Sequence, residues 1–371
     1  MAQLSRRAFA QLIGAATAAT ALPIPVIART KSVRAAHSVR LSANENPYGP
    51  SDAARRAMID AIPIACRYPD DAIDALVADL AKLHGVSERQ ILLGDGSSEI
   101  LKLSSMAFLS PARPLVVADP TFEALPIAAQ GAGVDVRRVP LDASFAHDTV
   151  KMLPAAQGAG LVYVCNPNNP TATITPDKSL RAFIAAVPGD TIVLVDEAYH
   201  HYATSTGYTS VVDLVATHPN VVVSRTFSKI YGIAGLRIGY AVAQEATIKR
   251  LSAQQAWDTV NIMGLVAARA SLTDQQHVAH HRLLNNEAKA WLRRQLDQLG
   301  YHMLPSDANF VMIDLGKDVK PLIAAMRTNG VEVGRLFPAM PRHLRVTIGT
   351  PEEMQRFVDA LQKVAEAKKA A

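Results

Sequence analysis

Residues 224–240 read Ser-Arg-Thr-Phe-Ser-Lys-Ile-Tyr-Gly-Ile-Ala-Gly-Leu-Arg-Ile-Gly-Tyr and follow the β-branched run Val221-Val222-Val223. A short apolar run of this kind reads as a strand, which leaves Lys229 on the loop beyond its end. Small hydroxyl residues, Thr226 and Ser228, flank that lysine, and Arg237 follows in a Gly-Leu-Arg-Ile-Gly context. An amine so placed can attack a carbonyl while hydroxyls and a guanidinium hold a phosphate. A loop lysine is equally well a solvated surface charge, so the rest of the chain has to decide.

Working outward, apolar runs at 115–118, 134–139, 161–165, 192–195, 221–224 and 237–242 alternate with helical stretches. That alternation predicts βαβ construction around a largely parallel sheet. Several runs end in polar residues: Asp119-Pro120-Thr121-Phe122, Asn166 through Thr171, Asp196-Glu197-Ala198-Tyr199 and the lysine loop. In an open α/β sheet the carboxyl ends of parallel strands face the ligand crevice, so these loops are expected to converge on one site. Upstream, Ser51 suits the cap of a helix running to about Ala61, and a second helix is expected over 72–84 with Gly85 as its stop. Long helices are expected over 249–271 and 278–299, strands over 308–314, 331–333 and 344–348, and a last helix over 351–367. The resulting division is 1–28 as a leader, 29–65 as an N-terminal arm joined to a small domain, 66–245 as the large domain, and 246–371 as a linking helix and small α+β domain.

Bulk properties bound the function. With 371 residues, 49% apolar and 19% charged, the chain can bury a large core. The formal charge is +5, but setting Arg6 and Arg7 aside leaves a small basic excess over 33 acidic side chains. The basic residues are scattered, which excludes a nucleic-acid footprint. Two cysteines cannot build a disulfide framework, and no metal centre is expected. Ser5-Arg6-Arg7-Ala8-Phe9 precedes an uncharged Ala/Thr-rich run to Ala28, which resembles a twin-arginine export signal. Pro23 and Pro25 break that run, so stable membrane insertion is not expected; a periplasmic or otherwise exported protein is, or a cytoplasmic one if the signal does not function.

Each polar strand end offers a piece of chemistry beside a plainer structural reading. Asp196, at the end of an apolar strand, needs a cation if it is to stay ionised, or it caps a helix. Tyr199 and Asn169 can both donate to one oxygen, or they fill a half-buried and a turn position. Phe122 offers a ring face for stacking or packs the core. Gly94-Asp95-Gly96-Ser97-Ser98-Glu99 opens an apolar stretch, and backbone N–H groups at a helix start favour an anion. Arg237 amid apolar and glycine neighbours asks for an anionic partner. An amine, a buried acid, an oxygen donor, a stacking face and a phosphate cradle are together what pyridoxal 5′-phosphate requires of a protein.

Asn-Pro-Asn-Asn-Pro-Thr at 166–171, Val-Asp-Glu-Ala-Tyr at 195–199, and Ser-Arg-Thr-Phe-Ser-Lys with Ala-Gly-Leu-Arg at 224–237 resemble the fold-type-I aminotransferases of classes I and II. Within them the chain is most similar to the histidinol-phosphate aminotransferase branch, over nearly all of residues 40–360. The resemblance implies an α/β fold with a mostly parallel seven-stranded-type sheet between helices and a smaller α+β domain. It implies Lys229 as the Schiff-base lysine, Asp196 at the pyridine nitrogen, and Tyr199 and Asn169 at the ring oxygen. Phe122 would stack on the ring, and Ser97, Ser98, Thr226, Ser228 and Arg237 would hold the phosphate. Tyr68, in Arg-Tyr-Pro-Asp, matches the tyrosine that reaches the neighbouring subunit's phosphate, which implies a homodimer. Arg345, Arg335 and Tyr48 are the implied substrate contacts, for an amino donor and a 2-oxo acid acceptor. Ala172 stands where the family has glycine, Phe122 where it has tyrosine, and Arg335 is displaced by one from the family's second arginine. A decarboxylase or lyase on the same fold shares the cofactor residues, and an exported non-catalytic binding protein is the reading from another class.

Overall fold

The computed structural model describes residues 38–367, and the leader expected at 1–28 lies outside them. Seven strands form the main sheet: β2 (Ile91–Asp95), β3 (Leu115–Asp119), β4 (Val136–Pro140), β5 (Leu161–Cys165), β6 (Ile192–Asp196), β7 (Val221–Thr226) and β8 (Ile238–Ala243). Their order is β2-β8-β7-β6-β5-β3-β4, and β8 alone runs against its neighbours. β5, β6, β7 and β8 are buried along their whole lengths. Val162, Val164, Val193 and Val195 face one apolar cluster, while Leu161, Tyr163, Ile192 and Leu194 face another. Side chains alternate between faces, so continuous apolar runs mark strands covered on both sides.

The strand order places the site. Chain direction across the sheet reverses where β3 lies between β4 and β5, and the loops after β3, β5, β6 and β7 open at one edge. β2 runs with them, so Asp95-Gly96-Ser97 emerges at the same edge. Because β8 is antiparallel, its first residues, next to Arg237, lie there too.

The C-terminal part has its own apolar cluster, built from Leu292, Val311, Met326, Val346, Phe357 and others. It holds an antiparallel sheet of β9 (His302–Met303), β10 (Phe310–Asp314) and β12 (His343–Thr347), in which Met312 pairs with Arg345. Beside it, β1 (Val39–Leu41) pairs in parallel with β11 (Val331–Val333).

Several elements differ from the sequence expectation. β1 and β2 fall in segments read as irregular or as a helix start, and each is short. The helix expected over 249–271 is two helices, Glu245–Ser252 and Ile262–Thr273. Asn261 caps the second by accepting from Gly264 N at 2.8 Å, and Asp258 takes a positive φ of 55° between them. Arg237 lies before β8 in the left-handed region, at φ 58°. The helix Asp52–Ala61 is capped by Ser51, and Gly85, at φ 65°, ends the helix Asp70–His84.

Candidate active site

A cavity of about 240 Å³ lies at the sheet edge, lined from five strand ends and from the C-terminal part. β7 delivers Thr226, Ser228 and Lys229, and β6 delivers Asp196, Ala198 and Tyr199. β5 and β3 bring Asn169 and Phe122, the turn after β2 brings Ser97 and Ser98, and β12 brings Arg345 from the other side. Eleven of the fourteen residues singled out from the sequence therefore meet here, Arg237 included.

Asp196 is buried, and its carboxylate accepts from Tyr163 Oη at 2.9 Å and from Ala198 N at 3.1 Å. Burial lifts its pKa to about 6, against the lowering effect of those hydrogen bonds. Burial, and then the charge of Arg345, bring Lys229 down to about 8. Its Nζ donates to Asn44 O at 3.0 Å and stands 5.6 Å from the Tyr199 ring centre. Near neutral pH the uncharged, nucleophilic form of this amine is a minor fraction, but a far larger one than for an ordinary lysine.

Tyr199 accepts from Asn44 Nδ2 at 3.1 Å and meets the edge of Phe310 at 5.0 Å. Burial pushes its phenol well above the ordinary value, so it is a neutral donor. Arg345 donates to Asn169 Oδ1 and to Ser42 O, both at 2.7 Å, and its buried Nε has no protein partner. Burial lowers its pKa to about 10, which leaves it cationic at neutral pH.

Opposite lies an anion cradle. Arg237 donates to Ser228 Oγ at 3.2 Å, Ala234 O at 3.1 Å and Asp95 O at 3.1 Å, none of them a charged acceptor. Ser228 N in turn donates to Thr226 Oγ1 at 3.1 Å. The helix Ser97–Phe108 begins here, its cap Gly96 at φ 73°. A Cβ on Gly96 would lie 1.9 Å from Arg237 Nη2, so glycine is what lets the guanidinium close over the helix start. Behind the site, Arg225 and Glu197 form a buried ion pair at 2.8 Å that ties β7 to the chain just past Asp196.

Three residues do not reach the cavity. Tyr68 is 78% exposed, in the turn before the helix Asp70–His84. Tyr48 packs its ring 5.2 Å from His281 and lines neighbouring clefts instead. Arg335 is drawn into an ion pair with Glu123 and stacks on Phe337. Asn44, Tyr163 and Glu45 were not anticipated. Asn44 arrives because β1 pairs with β11 and runs straight into the site. Asn46 Nδ2 then donates to Ile230 O at 2.8 Å and sits 2.8 Å from His281 Nδ1, pinning this segment beside Lys229.

The family model for aminotransferase class I and II matches residues 36–361. The chain belongs to that family. Histidinol-phosphate aminotransferase 2 of Pseudomonas aeruginosa is 40% identical over 344 residues, 92% of this chain and 93% of that protein. A candidate histidinol-phosphate aminotransferase from Erwinia carotovora atroseptica superposes with a TM-score of 0.86 at 33% identity, covering 89% of this chain and 97% of the other. Histidinol-phosphate aminotransferase from Sinorhizobium meliloti, solved with pyridoxal 5′-phosphate, gives 0.83 at 28% identity over 89% and 91%. This class I and II aminotransferase is thus a fold-type-I, pyridoxal-phosphate-dependent enzyme. Its cavity suits the cofactor on charge alone: a cation lacking a charged acceptor at one end and a buried acid with a raised pKa at the other.

Proposed function

We propose that this aminotransferase moves the amino group of an amino acid, or of a histidinol-phosphate-like amine, to a 2-oxo acid. The observation that carries this reading is the placement of Lys229, Asp196 and Arg237 in one cavity, with Arg345 facing them. When bound, pyridoxal phosphate supplies an aldehyde for the amine and an electron-poor ring for the electron pair of a broken Cα–H bond. Arg237, Ser97, Ser98, Thr226 and Ser228 would hold its phosphate, and Asp196 would keep a positive charge on its ring nitrogen. Tyr199 and Asn169 would donate toward its ring oxygen, and Phe122 would cover a face.

Lys229 Nζ would anchor the cofactor through its aldehyde. Released from the cofactor, Nζ would serve as the base that takes the proton from the donor's Cα and gives it up to the cofactor. Its lowered pKa suits a base working near neutrality. Arg345 would grip the donor's carboxylate with a planar fork. The names of the similar proteins support a histidinol-phosphate-like amine among the donors.

The working form we propose is a homodimer in which Tyr68 reaches the neighbouring site. Its large domain is 66–245, and 246–371 carries Arg345 and closes the site. Export through a twin-arginine leader at 1–28 completes the reading, and the Arg6-Arg7 pair and the uncharged run after it support that route.

Lys229→Ala is expected to abolish the absorbance of lysine-bound cofactor and to lower turnover by at least roughly 1,000-fold. A variant that keeps the absorbance sinks the assignment. A half-reaction screen with histidinol phosphate and an amino-acid panel identifies the donor. Accumulation of glutamate from 2-oxoglutarate marks transamination, and release of carbon dioxide would mark a decarboxylase.

A further inference from the structure

The loop after β3 and the loop after β11 meet over the site. Phe122 lines the cavity, and the next residue, Glu123, reaches across to pair with Arg335. Arg335 and Arg345 lie on one aromatic ring, with guanidinium carbons 4.3 and 5.2 Å from the Phe337 centre. One of the two is deep, with an unpartnered Nε, and the other is at the exposed rim. Two guanidiniums on one ring offer two anion positions, and the inner one also lies 5.6 Å from the Phe310 centre. Only the inner one is free of a protein carboxylate among its hydrogen-bond partners.

We propose that Glu123 is a displaceable counter-ion that sets the choice between substrates with a distal anionic group and substrates with a neutral side chain. With a neutral or aromatic tail, Glu123 stays on Arg335 and the rim carries no net charge. A distal carboxylate or phosphate must take Arg335 from Glu123 and then lie beside a like charge. The displacement is feasible because a half-exposed ion pair is held only weakly. Glu123 therefore acts against distal anions without blocking them. This inference rests on the aminotransferase reading of the cavity, with Arg345 as the carboxylate ligand.

The test compares two inhibitors that both offer Arg345 a carboxylate: glutarate, with a distal anion, and 3-phenylpropanoate, with a neutral tail. Calorimetric binding to the cofactor-loaded enzyme reads each dissociation constant. Glu123→Gln is expected to tighten glutarate roughly three- to tenfold while 3-phenylpropanoate stays within about twofold. Adding Arg335→Gln to that variant is expected to remove the gain. An unchanged or weaker glutarate constant overturns the proposal, as does an equal change in both ligands. Transamination of a neutral amino acid by the unaltered enzyme is measured alongside. Its absence counts against the functional reading, whereas the ratio of the two inhibitors judges Glu123.

Discussion

Asp196 shows what one residue of this site costs. In the cofactor-free fold its pKa is about 6, against 3.8 as a free side chain, because burial disfavours the charged form. Between those values the folded chain binds more protons than the unfolded one, so its contribution to stability falls as pH rises through that window. Above about pH 6 the ionised carboxylate costs ~3 kcal/mol, which a cofactor cation at the ring nitrogen would offset. Asp196→Asn keeps the shape and removes the titration. Cofactor-free, the variant is expected to exceed the parent protein by up to ~3 kcal/mol at pH 8 and to converge with it near pH 4. It should also bind cofactor more weakly and lose at least roughly 100-fold in activity. Urea denaturation from pH 4 to 8 checks this, and a variant less stable at pH 8 contradicts it. Asp196 was legible because it ends an apolar run and stands three residues before Tyr199 in the Val-Asp-Glu-Ala-Tyr motif. Asn44 was not, because it holds Lys229 through its main-chain carbonyl, a group that every residue type carries.

Among the elements, β8 and the helix Ser97–Phe108 are held in register by Gly239. A Cβ there would lie 2.2 Å from Ser97 N and 2.6 Å from Gly96 C, both backbone atoms with no rotamer to yield. Gly239→Ala is expected to lose about 3 kcal/mol and to weaken cofactor binding, since the helix start that forms the cradle must shift. Gly131→Ala, where nothing lies within 4 Å, serves as control and should change stability by less than about 1 kcal/mol. Thermal denaturation and a cofactor titration read both, and equal losses would disprove the role given to Gly239. Strands β5 and β6 and the first half of β7 were readable because burial on both faces leaves uninterrupted apolar runs. β1 was hidden, since three residues with the burial pattern buried-exposed-buried carry no periodicity to detect. The break at 253–261 was hidden too, because Ala253, Gln254, Gln255 and Ala256 there are compatible with helix. The cap at Asn261 and the turn at Asp258 take effect only once the helix Ile262–Thr273 packs against Asp52–Ala61 and Asp70–His84.

At the scale of the whole molecule, the sequence left open what the exposed arm does. Ile59, Ile62 and Ile64 are 63%, 61% and 51% exposed, immediately before Tyr68. A run of large apolar side chains in water is costly for a monomer and ordinary for an interface. Covering this run with a second copy would bury the isoleucines and carry Tyr68 away from its own chain's cavity, which it does not reach. Ile62→Glu combined with Ile64→Glu places charge in that interface and is expected to weaken the dimer by roughly 100-fold. Sedimentation velocity would then report monomer at concentrations where the proposed dimer of the parent protein holds together. Cofactor affinity should fall in the same variant, because each site would lose the hydroxyl supplied by its neighbour. In the intact dimer, Tyr68→Phe should reproduce the affinity loss, roughly tenfold, without changing the sedimentation coefficient. If the isoleucine variant becomes monomeric yet binds cofactor as tightly as before, each site is complete within one chain, and Tyr68 has no part in it.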